Sequence, residues 1–447
     1  MRVADLGSRR VAIWGLGREG RAALGFLRKH HPMLPLMLLD DRAEAPIPQE
    51  YGNHTFAFGA ERIANALNKI DVVVKSPGVS LYRDDIRAAR TNGVQITSLL
   101  NLWFAEEPAI TTIAVTGTKG KSTTASLIAH ILTRLGRRVA LAGNIGVPVT
   151  EIGNVDYAVI EVSSYQAADF DGVCDLAVLT SLYPEHVDWH LTVEGYVHDK
   201  INLLSRSRRR IVNSAAADAV DSIILGSPCR YYLFNDESGI HSDDNGILDG
   251  RDRVGVVRNA YLVRAHNRSN LCAALAVAKM LDIDLVAALE ATHDFRGLPH
   301  RQQELGQNGD VLFVDDSIST IPESTLAALA VYAGRAITLI VGGYDRGIDY
   351  GKLLETLSTG AAKAIICLGD SGRRIYDQTR TAAKPGDNFL CQMHLAGSME
   401  DAVSYATQVT PPGGVVLLSP AAPSYGFYRN YIERGRDFAA KAGLPST

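Results

Sequence analysis

The sequence predicts an α/β protein in three domains: a Rossmann-like N-terminal domain, a central P-loop ATP-binding domain and a Rossmann-like C-terminal domain. Short apolar runs alternate with helix-like segments through most of the chain, the pattern of parallel sheets covered by helices. The apolar runs end repeatedly in glycine-rich or polar turns, where open α/β sheets bind ligands. A length of 447 residues exceeds one ordinary core. The expected domains are 1–105, 106–302 and 303–447.

In the first domain, Val11–Trp14 runs into Gly15-Leu16-Gly17-Arg18-Glu19-Gly20, and a second apolar run ends at Leu39-Asp40-Asp41-Arg42. A glycine turn opening a helix, with an acid about 20 residues on, is a dinucleotide fingerprint. The same geometry suits any diphosphate, that of a UDP-sugar included, so spacing leaves both open. A further strand, Val72–Val74, leads into Ser76-Pro77-Gly78-Val79. No second half of a dehydrogenase domain follows.

The central domain is organised around Gly117-Thr118-Lys119-Gly120-Lys121-Ser122-Thr123, between an apolar run (Ile113, Ala114, Val115) and a helix-like face of Leu127, Ile128, Ile131, Leu132 and Leu135. Backbone N–H groups of such a turn close around phosphate, Lys121 reaches the β/γ-phosphates, and the Ser122 or Thr123 hydroxyl touches Mg²⁺. Val115 stands where the usual spelling has its first glycine. Gly136 is placed to stop the helix. The strand Tyr157–Ile160 ends in Glu161, which would sit beside the loop and face Mg²⁺ if the two strands are neighbours.

The strand Leu176–Leu179 precedes Tyr183-Pro184-Glu185-His186-Val187-Asp188, where a metal or phosphate role for His186 competes with that of a surface histidine. Lys200, taken by itself, reads as a surface lysine. Asn267 and Asn270 either cap a helix or bond a base. The basic run 206–210 reads as a solvated helix end, and 236–252 as an exposed turn region. The segment 295–301 reads as a linker. Beyond it, strands Val311–Val314, Ile337–Val341, Ala364–Leu368 and Val415–Leu418 end in Asp315-Asp316-Ser317, Gly342-Gly343-Tyr344-Asp345-Arg346, Gly369-Asp370-Ser371 and Ser419-Pro420.

The composition, 46% hydrophobic and 21% charged, is that of a folded protein, and a net charge of −4 argues against a nucleic-acid binder. Five cysteines (Cys174, Cys229, Cys272, Cys367, Cys391) form no C-x-x-C pair, which fits a reducing compartment better than disulfides or zinc. No apolar run approaches a membrane span. A cytoplasmic monomer without membrane or nucleic-acid partners is expected.

Taken together in this order, the motifs resemble those of the Mur ligase family over essentially the whole chain, its glutamate-adding MurD branch above all. Gly117–Thr123, Gly143-Asn144-Ile145-Gly146, Glu161–Gln166, Glu185–Asp188, His266-Asn267 with Asn270, Gly297–Arg301, Asp316-Ser317 and Leu418–Ala421 carry the resemblance. It implies that Gly15, Leu16, Gly17, Asp40, Arg42, Ser76, Pro77 and Gly78 bind a UDP moiety. Asn144, Ser163 and Gln166 would line the channel for the rest of that substrate, UDP-N-acetylmuramoyl-L-alanine. It gives Gly117, Thr118, Lys119, Gly120, Lys121, Ser122, Thr123, Asn270, Arg301 and Asp316 to ATP. Two Mg²⁺ ions would be held by Ser122 or Thr123 with Glu161, and by His186, with a carbamylated Lys200 helping to position magnesium. Lys121, Lys200 and His186 would be the catalytic residues. The implied reaction phosphorylates the acceptor carboxylate and lets the glutamate amine displace phosphate from it.

The departures lie in the amino-acid pocket. The branch's D-S-K-A-T-N pattern is here Asp316-Ser317-Ile318-Ser319-Thr320-Ile321, followed by Pro322, and Arg346 stands where a lysine is common. Thr320, Arg346, Ser424, Tyr425 and Tyr431 are the expected glutamate contacts. Losing one cation and one amide while moving the positive charge to Arg346 shifts the groups that pin the two carboxylates, and can invert the preferred hand. L-glutamate is therefore the expected substrate; D-glutamate, and more remotely a folylpolyglutamate synthetase-like reaction, are the alternatives.

Overall fold

The computed structural model describes residues 1–42, 54–224, 231–382 and 391–445, with the side chains at 265, 266, 381 and 382 also outside the description. Cys229 and the His266 side chain thus lie outside the described residues. The chain divides into two compact units, Met1–Phe295 and Arg296–Thr447. The described residues form three sheets. No described helix is long and apolar enough to cross a membrane.

The first sheet comprises β1 (Val11–Trp14), β2 (Leu36–Asp40), β3 (Thr55–Phe58), β4 (Val72–Lys75) and β5 (Gln95–Ser98), in the order β3-β2-β1-β4-β5. All its pairings are parallel. Alternate residues serve opposite faces. Val11, Ile13, Val72 and Val74 pack with Ala23, Leu24 and Leu27 of the helix Arg18–His30 on one side, and Ala12, Trp14 and Val73 pack with Ile63 and Ile86 on the other. Strand order reverses between β1 and β4, so the turns after them meet where such a sheet opens a crevice.

The second sheet contains β6 (Thr111–Thr116), β7 (Val139–Gly143), β8 (Tyr157–Glu161), β9 (Cys174–Leu179), β10 (Ser207–Asn213), β11 (Tyr232–Phe234), β12 (Ile240–Asp243), β13 (Gly246–Asp249) and β14 (Asp252–Gly255). Its order is β14-β13-β12-β11-β10-β9-β6-β8-β7. β6 is flanked by β8 and β9, in register Val115 to Glu161 and Thr116 to Leu179. The helix Lys121–Arg134 ends with Gly136 at φ 77°. Gly136 N donates to Thr133 O and Arg137 N to Leu132 O, closing the carbonyls of the last turn.

Two expectations fail here. The basic run is not a solvated helix end: only Arg206 follows a helix, and 207–210 start β10. Arg210, 5% exposed, donates from Nε to Leu204 O at 2.6 Å. Nor is 236–252 merely an exposed turn region. It folds into the antiparallel β12–β13 hairpin because Ile240 and Ile247, both fully buried, supply an inward face that the abundance of Gly, Asp and Ser conceals.

The third sheet holds β15 (Gln303–Asn308), β16 (Val311–Asp315), β17 (Ile337–Val341), β18 (Ala364–Leu368), β19 (Gln392–Ala396) and β20 (Val415–Leu418), in the order β15-β16-β20-β17-β18-β19. β15 is antiparallel to β16, and the other pairings are parallel. β16, β17, β18 and β20 are buried at every position, which explains their continuous apolar runs.

Candidate active site

At the β1–β4 crevice the expected UDP-binding residues come together. Ser76 Oγ donates to Gly15 O at 2.8 Å. Gly15 has φ 92°, and a Cβ there would lie 2.8 Å from that of Ser76, so the close approach requires glycine. Asp40 accepts from Leu16 N at 3.0 Å, from Arg42 Nε at 2.7 Å and from Arg42 Nη2 at 2.9 Å. Burial pushes this carboxyl up, but the Arg42 and Leu16 hydrogen bonds outweigh it and hold the group below its ordinary value.

The phosphate loop is sewn to the segment after β9. Thr118 N donates to Ser181 O at 2.8 Å, Lys119 N to Ser181 Oγ at 2.8 Å, and Thr180 Oγ1 to Lys119 O at 2.7 Å. Thr118 Oγ1 lies 2.6 Å from Tyr196 Oη. Gly117, at φ 147°, could not carry a side chain, because a Cβ would fall 2.0 Å from Thr180 Oγ1. Lys121 Nζ folds back onto Thr118 O at 2.9 Å. Lys119 Nζ pairs with Glu185 Oε1 at 2.7 Å. Ser122 and Thr123 are buried at the helix start. Asn270 lies against the loop: its Oδ1 accepts from Thr124 Oγ1 at 3.3 Å and would be 2.4 Å from a Cβ on Gly120.

Glu161 ends β8 and is 1% exposed. Its Oε1 accepts from Asn144 Nδ2 at 2.9 Å, while Oε2 is buried without a hydrogen-bond partner. An orphaned carboxylate oxygen is costly unless a ligand satisfies it, and a hard oxygen donor is what Mg²⁺ takes. Lys200, far from being a surface lysine, is 2% exposed and donates from Nζ to Gly117 O at 2.7 Å. Burial, followed by the charge of Lys121, drives its amine well below the ordinary lysine value against the pull of Glu185 and Glu161.

His186 has φ 55° and Nε2 3.8 Å from Glu185 Oε2. Burial lowers its imidazole below the ordinary value, opposed by Glu185 and Asp188. No group of three His, Cys, Asp or Glu side chains among the described residues is assembled to hold a metal. A magnesium site here would therefore need phosphate oxygens and hydroxyls to complete it. Ser163 and Gln166 form a reciprocal cap on the helix Ser164–Ala168: Gln166 N donates to Ser163 Oγ at 3.2 Å, and Ser163 N to Gln166 Oε1 at 3.0 Å.

In the C-terminal unit, Asp316 is 1% exposed and accepts from Ser319 Oγ at 2.6 Å, Ser419 Oγ at 2.7 Å and Gln302 N at 3.1 Å. Burial raises its carboxyl to about 6 despite those bonds and the charge of Arg301. Arg346 Nη2 donates to Thr320 O at 3.3 Å. Pro423 O accepts from Tyr344 N at 2.9 Å, bringing Ser424 and Tyr425 beside the Gly342-Gly343 turn, and the Tyr344 and Tyr425 rings lie 6.4 Å apart. Tyr431 is placed differently: its ring packs on His300 at 5.9 Å and its carbonyl accepts from Ser317 Oγ at 2.8 Å.

Residues 9–98 match a family described as Mur ligase MurD-like, N-terminal domain, residues 115–278 the Mur ligase middle domain, and residues 300–422 the Mur ligase, glutamate ligase domain. A UDP-N-acetylmuramoyl-L-alanine--L-glutamate ligase of Xanthomonas axonopodis pv. citri (strain 306) is 38% identical over 99% of this chain and 97% of the relative. One of the same name from Micromonospora sp. (strain ATCC 39149 / NRRL 15099 / SCC 1413) is 40% identical over 98% and 97%. The chain belongs to the Mur ligase family. Solved Mur ligases share its fold: MurC of Thermotoga maritima has a TM-score of 0.58 at 18% identity, covering 97% of this chain and 99% of that one. MurF of Acinetobacter baumannii has 0.58 at 15% identity, covering 91% and 90%.

Several polar groups of this Mur ligase escaped sequence reasoning. Thr180, Ser181 and Tyr196 hold the loop; the signal for the first two lies in the polar turn that follows the strand next to it, whereas Tyr196 reaches the loop from the helix Val193–Ser205. Lys75 gave none, being the last residue of a valine run. It is 2% exposed and its Nζ lies 3.0 Å from Asp169 Oδ2.

Proposed function

We propose that this Mur ligase is an ATP-dependent, ADP-forming ligase that joins L-glutamate to UDP-N-acetylmuramoyl-L-alanine. Residues 1–105 take the uridine diphosphate part, 106–302 take ATP, and 303–447 take glutamate. The observation that carries the reading is the meeting of three groups, two at the ends of the adjacent strands β6 and β8 and one from the helix Val193–Ser205. The phosphate loop follows β6, the unpartnered Oε2 of Glu161 ends β8, and the buried Lys200 amine bonds the loop's first residue. The near full-length likeness to relatives bearing that substrate name supports the choice of acceptor and of L-glutamate.

In the reaction, a carboxylate oxygen of the acceptor's L-alanine attacks the γ-phosphorus of ATP, and the bond to the β-phosphate oxygen breaks to release ADP. The glutamate amine then attacks the acyl carbon, the C–O bond to phosphate breaks, and the nitrogen gives up a proton. Loop N–H groups and Lys121 bind the phosphoryl oxygens and disperse their charge. Glu161, Ser122 or Thr123, and His186 would hold two Mg²⁺ ions, which when bound add to that charge neutralisation. A neutral Lys200 amine can add CO₂ and lose a proton, giving a carbamate whose oxygens become hard donors. Asn270, Arg301 and Asp316 would meet the nucleotide.

Thr320, Arg346, Ser424 and Tyr425 would hold glutamate, with the Arg346 fork on a carboxylate, and Tyr431, packed on His300, would support the loop that carries Ser317. Phosphate release from ATP with the UDP-linked acceptor is measured with each glutamate enantiomer. L-glutamate should give the higher kcat/KM. A strong preference for D-glutamate refutes the handedness, and no release with either refutes the ligation.

A further inference from the structure

Four side chains outside the groups assigned above form one chain of hydrogen bonds, half-buried at Tyr82 and buried at the other three. Tyr82 Oη donates to Asp199 Oδ1 at 2.7 Å, Asp199 Oδ2 lies 2.5 Å from His190 Nδ1, and His190 Nε2 lies 3.0 Å from Ser164 Oγ. His190 is 1% exposed, Ser164 3% and Asp199 7%. The Ser-His-Asp spacing resembles that of a hydrolytic relay, but a serine so enclosed cannot meet a substrate. Its members instead sit at informative places. Tyr82 belongs to the segment that begins with Ser76-Pro77-Gly78, Ser164 follows Glu161 and the cap residue Ser163, and Asp199 precedes Lys200. A parallel contact, Ser80 Oγ to Trp189 O at 2.9 Å, ties the same segments.

We propose that Tyr82, Asp199, His190 and Ser164 act as one positioning unit that sets Lys200 and Glu161 in register with the segment holding the acceptor's diphosphate. The inference rests on the function proposed above. Both Asp199 oxygens are engaged, so its carboxylate cannot turn, and neighbouring side chains on a helix diverge by about 100°. Fixing Asp199 toward Tyr82 and His190 therefore fixes Lys200 toward Gly117. A fully satisfied buried network holds one geometry, and small misplacements at a reacting centre are felt in kcat more than in binding.

Tyr82→Phe and Ser164→Ala each delete one oxygen at opposite ends of the chain and share no hydrogen bond. Each should lower kcat about tenfold, with KM for acceptor and for ATP changed less than about twofold and little change in Tm. The double variant should be no slower than the slower single, because opening either end releases the same unit. Unchanged kcat, effects confined to KM, losses that multiply, or losses matched by a fall in Tm would each overturn the proposal. Wild-type protein is run in parallel: turnover there with unaffected variants removes only this inference, whereas absence of turnover removes the function beneath it as well.

Discussion

The side-chain amine of Lys200 reaches the carbonyl of Gly117 across 2.7 Å, tying the helix Val193–Ser205 to the first residue of the phosphate loop. A lysine so buried, with Lys121 as a like-charged neighbour, is held toward its neutral, nucleophilic form. Replacing it by alanine should lower turnover by about a thousandfold or more. Added bicarbonate should not restore activity, while short carboxylic acids should restore part of it. A fully active Lys200→Ala protein would remove the carbamate assignment.

Lys121 folds over the loop onto Thr118 O, a half-buried side chain at the start of its helix rather than a member of the hydrophobic core. Lys121→Ala should therefore cost about 10²–10³ in kcat or more with Tm shifted by less than about 2 °C. Steady-state phosphate release together with thermal unfolding distinguishes this outcome from loss of fold.

Gly117→Ala tests the loop's backbone. With φ 147° and Thr180 Oγ1 at 2.0 Å from the added Cβ, the variant must displace Thr180 or the loop. Expected are a stability loss of about 1–3 kcal/mol and nucleotide affinity weakened at least tenfold, read by denaturant unfolding and by ATP titration.

Asp316 makes stability pH-dependent. Its carboxyl sits at about 6 in the folded protein against an ordinary 3.8, so the folded state holds its proton more tightly than the unfolded. The contribution is complete below the ordinary value and is lost as pH rises through about 6. Asp316→Asn, which cannot ionise, should be more stable than the wild type by about 1–3 kcal/mol near pH 7.5, the difference vanishing near pH 4. Denaturant titration at the two pH values checks it; a constant difference would contradict it.

Much of the fold was legible because parallel strands buried on both faces must be written as apolar runs, and Val72–Val74, Ile337–Val341 and Val415–Leu418 are such runs. The antiparallel edge strand Gln303–Asn308 was not, since a strand only partly buried carries no continuous apolar signal. At the candidate site, glycine turns and strand ends in the sequence point to Gly117, Asn144 and Glu161, which the structure brings to neighbouring strand ends. The burial of Lys200 was not legible in sequence, because its depth comes from the packing of the helix Val193–Ser205 against the helix Ser164–Ala168 and the loop. Arg210 shows the converse: a charge run looks solvated until a strand carries one member inward.

The pairing of Lys75 with Asp169 has a consequence for how the molecule meets its surroundings. Dissolved ions weaken attraction only where water can carry them between the charges, and here both side chains are sealed, at 0% and 4% exposure. High salt should thus loosen the outer pairs, such as Arg138 with Asp156, yet leave the joint between β4 and the helix Ser164–Ala168 untouched. A concentrated brine and a dilute buffer should find that seam equally shut.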